Sequence, residues 1–189
     1  MATVVIPNWN GMQWLDGCLG ALARQDTTEF VTIVVDNGST DGSVAFIERQ
    51  YPAVEVIRLA SNTGFANAAN VGIAGASTPY VVLLNADTVA YPDFLSSLVE
   101  RIEAAPADVA AINAQMLRLD DPDCIDDAGD ELSWYGVATK RGHNELAAAY
   151  AQEREVFSPS GGASLYRRDF LLALGGFDPL FFAYLEDVD

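Results

Sequence analysis

Short apolar runs rich in β-branched residues alternate with segments of helical periodicity through the first 116 residues, and this alternation most narrows the fold. The runs stay apolar throughout, as strands do when helices cover both faces of a sheet. Such alternation implies an α/β domain with a mostly parallel central sheet. We predict strands at 3–7, 30–35, 54–59, 80–84 and 109–116, and helices at 14–24, through 44–47, at 64–76 and at 92–104.

The pattern dissolves between residues 117 and 157, where acidic residues crowd the chain. A calcium-binding or acceptor-binding loop would explain them, and so would a solvated, variable insertion. The absence of any regular spacing of oxygen ligands favours the insertion. Order returns at 158, with a short strand through Tyr166 and a helix at 169–174. We therefore expect a single domain, 1–189, in three parts: 1–116, an acidic insertion 117–157, and 158–189.

The net charge of the chain excludes some classes of binding partner. Ten basic residues stand against 27 acidic ones, for a net charge of −17. Such a surface repels nucleic acid and anionic lipid, so no nucleic-acid partner is expected. An anionic nucleotide could bind only if a cation mediates. The acidic, lysine-poor composition is typical of proteins from salt-loving organisms; the alternative is a merely acidic mesophilic protein.

No apolar run approaches the length that crosses a bilayer, and no basic, signal-like leader precedes the first strand. We expect a cytoplasmic protein, with peripheral contact at the inner face of the cell membrane left open. Cys18 and Cys124 fit neither a disulfide framework nor a zinc site, and ordinary free thiols are predicted.

Three acidic sites stand at or near the ends of predicted elements, where open parallel sheets bind ligands. Asp36 ends the second strand and could bind a nucleobase or ribose, or simply cap its turn. Asn85-Ala86-Asp87 follows the fourth strand, where Asp87 could hold a hard cation or serve as a turn residue. Glu186 and Asp187 follow an aromatic stretch; one of them could be a general base, or both could be ordinary helix-start acids.

Two motifs of small and amide residues support a binding crevice. Asn62-Thr63-Gly64-Phe65 leads into Asn67 and Asn70, and Gly161-Gly162 precedes the strand through Tyr166. Small residues let the backbone approach a ligand closely, although each motif is more often plain packing or turn chemistry.

In this order and spacing, the motifs resemble glycosyltransferase family 2, an inverting family with the GT-A (nucleotide-diphospho-sugar transferase) fold. Within this family, the chain is most similar to the rhamnosyltransferase-like branch. The resemblance covers almost the whole chain except the acidic insertion. The segments that carry it are Val4–Gly11, Val34–Gly42, Asn62–Gly72, Leu83–Thr88, Ser160–Arg168, Gly175–Asp178 and Phe182–Asp189.

The resemblance implies a role for each matching position. On the donor side, Asp36 would contact uracil or thymine, and Asp87 would ligate Mg²⁺ or Mn²⁺. Asp187 would be the general base, with Glu186 beside it. The remaining donor-binding or sugar-bordering residues would be Pro7, Asn10, Asn62, Gly64, Asn70, Asn85, Ala86, Gly161 and Gly162.

The implied partners are a UDP- or dTDP-sugar and a glycan or lipid-linked acceptor, with homodimer formation left open. Family members continue past the Glu-Asp motif with helices and often a metal-binding histidine. The only histidine here, His143, lies in the insertion and is not assigned. We therefore expect a C-terminally incomplete catalytic part, with membrane contact carried by the missing segment.

Two other functions compete with this interpretation. A non-catalytic nucleotide-sugar-binding module would bind donor without turning it over. A sugar nucleotidyltransferase would need basic residues after the first strand, and Asn8–Met12 contains none. A dinucleotide oxidoreductase is disfavoured because no G-x-G-x-x-G follows that strand.

Overall fold

A six-stranded sheet forms the centre of the computed structural model, which describes residues 1–189. Its spatial order is β3-β2-β1-β4-β10-β5. The strands of this sheet are β1 (Ala2–Asn8), β2 (Phe30–Asp36), β3 (Glu55–Arg58), β4 (Tyr80–Leu84), β5 (Ala111–Asn113) and β10 (Ala163–Arg167).

The four strands from the first half of the chain run parallel, whereas β10 lies antiparallel between β4 and β5. The predicted mostly parallel sheet is confirmed. The predicted single strand at 109–116 is wrong in one respect: only Ala111–Asn113 joins the sheet, and β6 (Met116–Leu117) turns away to pair with β7 (Ile125–Asp127). An apolar run alone does not show where a strand leaves one sheet for another.

Helices cover both faces of the sheet, as predicted. On one face, α1, α2 and α4 pack on β1, β2 and β4 through Leu19, Ile47 and Leu95; on the other, α3 and α5 pack through Ile73 and Leu171. None of the helices combines the length and apolarity needed to cross a bilayer. Their bounds are α1 (Met12–Leu22), α2 (Ser43–Gln50), α3 (Phe65–Gly75), α4 (Phe94–Ala104) and α5 (Arg168–Leu174).

Small residues let α3 lie close to the sheet. Gly72 sits so near Val5 that a methyl group added at this glycine would overlap the valine side chain. Ala68 and Ala69 of the same helix are fully buried. The Ala-rich composition of this helix is therefore a packing feature.

α2 begins at Ser43, directly after Gly42, which has φ +89°. Asp41 accepts hydrogen bonds from the backbone N–H of Ser43 (3.0 Å) and from the backbone N–H of Met12, the first residue of α1 (2.9 Å). Its carboxylate thus joins the N-termini of α1 and α2.

The acidic segment is more ordered than a solvated insertion. The antiparallel pair β8 (Asp130–Leu132) and β9 (Ala138–Lys140) follows β7, and a 3₁₀ turn lies at Ala147–Tyr150. Within this segment Asp127 and Asp130 are buried. The two cysteines are unpaired, as predicted.

Candidate active site

A cleft of about 1320 Å³ opens beyond the carboxyl end of β4. Its lining comes from the β4–α4 connection, the acidic segment, the turn before β10 and the last residues of the chain. Ligands bind beyond the carboxyl ends of strands in open α/β sheets, so the cleft lies where the strand directions predict it.

The end of β4 supplies the first polar group of the cleft. Asn85 is held in line with the sheet, because its backbone N–H donates to the Gly162 carbonyl at 2.9 Å. Asn85 and Asp87 line the cleft, whereas Ala86 packs against the hydrophobic core. Asp87 is exposed and forms no ion pair. Its carboxylate is therefore free to meet a ligand.

The opposite wall brings the predicted base to the turn before β10. The backbone N–H of Gly161 donates to Oδ2 of Asp187 at 2.7 Å. Asp187 is half-buried, and Glu186 beside it is 8% exposed. The aromatic ring of Phe65, at the start of α3, lies against Gly161. Residues predicted from three separate motifs thus lie at one wall, with Asp187 held in a fixed position.

Asp36 lies outside this cleft, at the end of β2. Strand register places it beside Asn8 of β1, whose side-chain amide donates to Asp36 Oδ1 at 3.2 Å. The Ser39 backbone N–H donates to Oδ2 at 3.1 Å. The Asn8 Oδ1 atom is buried and has no partner. Asn8 was missed in the sequence, although its position one strand over from Asp36 could have indicated it.

The loop after β1 is tied to the loop after β2. The Asn10 side-chain oxygen accepts from the Thr40 backbone N–H at 2.8 Å, and its own N–H donates to Ser39 Oγ at 2.9 Å. Asn10 has φ +51°, a conformation that asparagine tolerates better than most residues. Pro7 is half-buried directly below. Both residues stay in the predicted donor region, outside the large cleft.

A network of amides fixes the turn before α3. Asn37 donates to Asn62 Oδ1 and to the Gly64 carbonyl, both at 3.0 Å, and accepts from the Thr63 backbone N–H at 2.9 Å. Asn70 is engaged elsewhere, because its amide forms two hydrogen bonds with the backbone of Phe177, at 2.7 and 2.8 Å. The donor roles of Asn62, Gly64 and Asn70 remain predictions.

Two carboxyl groups from the acidic segment reach the wall that holds Asp187. Asp127 and Asp130 are 1% and 8% exposed, and both line the cleft. Asp127 accepts a hydrogen bond from the Gly129 backbone N–H at 2.8 Å. No spacing in the sequence distinguishes these two from their acidic neighbours, and only the pairing of β6 with β7 and of β8 with β9 brings them inward. Sequence reasoning missed both.

Burial raises the pKa of three carboxyl groups at this wall. Desolvation, followed by the charges of Asp127 and Asp187, raises the pKa of Asp130 to about 7. Burial likewise raises the pKa of Asp127 and of Glu186, and the Asp187 charge adds to the shift at Glu186. Like charges held close in a partly desolvated site resist ionisation together.

Asp130→Asn should stabilise the protein at alkaline pH. A carboxyl whose pKa is raised in the folded state contributes stability below its ordinary pKa, near 4, and loses that contribution as the pH rises through about 7. We expect the variant to gain on the order of 2 kcal/mol in free energy of unfolding at pH 8 and almost nothing at pH 4. Urea denaturation at both pH values measures this difference.

The control for that measurement is Asp169→Asn, which changes an exposed carboxylate on α5. It should leave the free energy of unfolding nearly unchanged at either pH. Equal destabilisation by Asp130→Asn at both pH values would contradict a raised pKa of Asp130 in the folded state.

The end of β4 fits a divalent metal that is bound together with a ligand. No set of three or more His, Cys, Asp or Glu side chains is arranged to hold an ion by itself. Mg²⁺ in proteins is commonly held by one or two carboxylates together with substrate phosphates and water. The exposed Asp87, which forms no ion pair, would provide one such carboxylate.

Parallel strands that open onto a polar cleft, with one reversed strand carrying the turn that anchors an acid, define the GT-A class of nucleotide-sugar transferase folds. The family model described as "Glycosyl transferase family 2" matches residues 3–175. The chain belongs to glycosyltransferase family 2, and the resemblance seen in its motifs is confirmed.

One curated relative and two solved structures show how far the similarity extends. The N-acetylglucosaminyl-diphospho-decaprenol L-rhamnosyltransferase of Mycobacterium tuberculosis is 28% identical over 198 residues, covering 93% of this chain and 64% of that protein. A mannosyltransferase of Pyrobaculum calidifontis in complex with GDP-Man and Mn²⁺ superposes with a TM-score of 0.67 and 21% identity, covering 94% of this chain and 47% of that one. S. aureus TarS in complex with UDP gives a TM-score of 0.65 at 19% identity, covering 99% and 52%.

These two structural likenesses show the fold. The chain spans between 12% and 64% of the length of the curated relatives it matches.

Proposed function

We propose that this chain carries the donor site and the catalytic base of an inverting glycosyltransferase. The enzyme would transfer a sugar from a UDP- or dTDP-sugar to a hydroxyl group in the synthesis of a glycan, polysaccharide or glycolipid, in the cytoplasm. The observation that carries the proposal is the cleft itself, which is lined by both Asp87, from the connection after β4, and Asp187, from the last residues of the chain. A cation-binding acid and an anchored base are the two groups that such a transfer requires.

Asp187 performs the proton transfer in this proposal. The Gly161 N–H holds one carboxylate oxygen, which leaves Oδ1 to take the proton of the acceptor hydroxyl. The acceptor oxygen then forms a bond to the anomeric carbon while the bond from that carbon to the diphosphate breaks. Attack from the face opposite the leaving group inverts the anomeric configuration.

The donor is held at two places. Asp36, fixed by Asn8 and Ser39, accepts hydrogen bonds from the base or the ribose. Asp87 holds Mg²⁺ or Mn²⁺, which offsets the charge of the diphosphate when it is bound. The relatives supply analogies only: one solved structure holds GDP-Man with Mn²⁺ and another holds UDP.

Calorimetric titration of UDP and dTDP, with and without Mn²⁺ in molar KCl, tests the donor site. We expect metal-dependent binding of at least one nucleotide, loss of its metal dependence in Asp87→Asn, and unchanged binding in the control Asp169→Asn. If a folded chain bound neither nucleotide, the proposed donor site would be wrong.

A further inference from the structure

The acidic segment forms part of one wall of the cleft, and the proposed donor site and base assign no role to its residues. We call it the acidic wall and define it by Asp127, Asp130, Glu186 and Asp187, all of which line the cleft. The last two come from the end of the chain, and the first two come from β7 and β8. Four carboxyl groups from distant segments therefore share one surface.

Two of these carboxyl groups have an oxygen without the hydrogen-bond donor that buried polar groups normally have. Asp130 is only 8% exposed, and no protein group donates a hydrogen bond to its carboxyl group. The Oε2 atom of Glu186 is buried and also unpartnered. Asp36, which is 3% exposed, has both oxygens satisfied. The acidic wall therefore has unused hydrogen-bond-accepting capacity.

The cationic side chain of Lys140 donates no hydrogen bond to the carboxyl groups of the acidic wall. Lys140, which pairs with Asp130 across β8 and β9, donates to Asp126 at 2.9 Å. No three or more side chains of the wall are arranged to hold a metal ion without further ligands. Hydrogen-bond donors on a ligand would use this accepting capacity, and the negative charge of the wall disfavours an anionic ligand.

We propose that the acidic wall is an acceptor subsite for an uncharged, hydroxyl-rich ring, and that Asp130 binds a ring hydroxyl and selects against anionic acceptors. The proposal rests on the proposed function, because it assigns the acceptor side of the same cleft. Donors on the ring satisfy Asp130 and Glu186, and one hydroxyl is then directed toward Asp187. A carboxylate on the ring would face up to four like charges.

The experiment is chemical-shift mapping of the ¹⁵N-labelled chain with two probes of the same ring. Methyl β-D-glucopyranoside is the uncharged probe, and methyl β-D-glucuronide carries a carboxylate in place of the hydroxymethyl group. We expect the glucopyranoside to shift the amides of Ala128 and Gly161, with the glucuronide binding at least about tenfold more weakly. At pH 8, above the pKa of about 7 of Asp130, loss of a charge-assisted hydrogen bond in Asp130→Asn should weaken glucopyranoside binding about tenfold and reduce the discrimination between the probes.

Asp169→Asn is the matched control and should behave as the unchanged chain. No shift at Ala128 and Gly161 up to the solubility limit of the glucopyranoside, equal binding of the two probes, or unaltered binding by Asp130→Asn would each overturn the proposal. UDP with Mg²⁺ is added to the same sample, with Ser39 and Ala86 as reporters. If UDP shifts its reporter amides and the glucopyranoside does not, the proposed acceptor subsite is wrong and the donor site remains supported. If UDP causes no shift, the proposed function itself is wrong.

Discussion

Asp187→Asn should lower turnover by about 10³-fold, because general bases typically contribute 10²–10⁴-fold to such reactions. Asparagine keeps an oxygen that can accept from the Gly161 N–H, so the turn before β10 should retain its geometry. It cannot take a proton from an acceptor hydroxyl. The loss should therefore fall on kcat, and the KM for the donor should change little.

Steady-state rates of nucleotide release, measured in the active enzyme with saturating donor, test this expectation. Asp169→Asn, an exposed carboxylate on α5, serves as the control and should turn over normally. Normal turnover of Asp187→Asn would show that another group is the base, and Glu186 would be the next candidate. A large rise in donor KM with unchanged kcat would instead show that Asp187 binds the donor.

Gly64→Ala should lower the free energy of unfolding by about 3 kcal/mol, because the substitution combines backbone strain with a steric clash at one position. Gly64 has φ +88° and ψ 166°, a region that only glycine adopts readily. A side-chain carbon there would overlap the Phe182 carbonyl oxygen and lie 2.9 Å from the Phe182 ring. That carbonyl accepts a hydrogen bond from Phe65 at 2.6 Å, so it cannot move away without breaking this bond.

The change should also reduce turnover, because Phe182 begins the segment that leads to Asp187. Gly42→Ala is the matched control: its φ is +89°, but nothing lies within 4 Å of the added carbon. Strain alone should destabilise that variant by about 1 kcal/mol. Urea denaturation compares the two, and equal losses would mean that the contact between Gly64 and Phe182 contributes nothing.

The first half of the fold was predictable because its signals are local. Val4, Val5 and Ile6 are apolar in succession since helices bury both faces of β1. Asp36 ends β2, and Asp87 lies three residues after the end of β4. The positions of these acids at the carboxyl ends of parallel strands then follow from topology. The anchoring of Asp187 by Gly161 joins two motifs that the sequence had singled out separately.

The remainder depends on contacts between distant residues. An apolar run does not reveal its direction, so the reversal of β10 was not predicted. Asp127 and Asp130 were indistinguishable from their acidic neighbours, because their burial arises from the pairing of β6 with β7 and of β8 with β9. The hydrogen bonds between the Asn70 amide and the backbone of Phe177 span 107 residues and were likewise not predictable from local sequence.

The place of β10 in the sheet has a consequence for synthesis on the ribosome. β4 and β5 both emerge well before the strand that separates them, so the edge of β4 stays unpaired in the nascent chain until Arg167 has left the exit tunnel. Unpaired apolar edges attract other strands. The first half of the chain therefore exposes an unpaired strand edge during synthesis until the second half supplies β10.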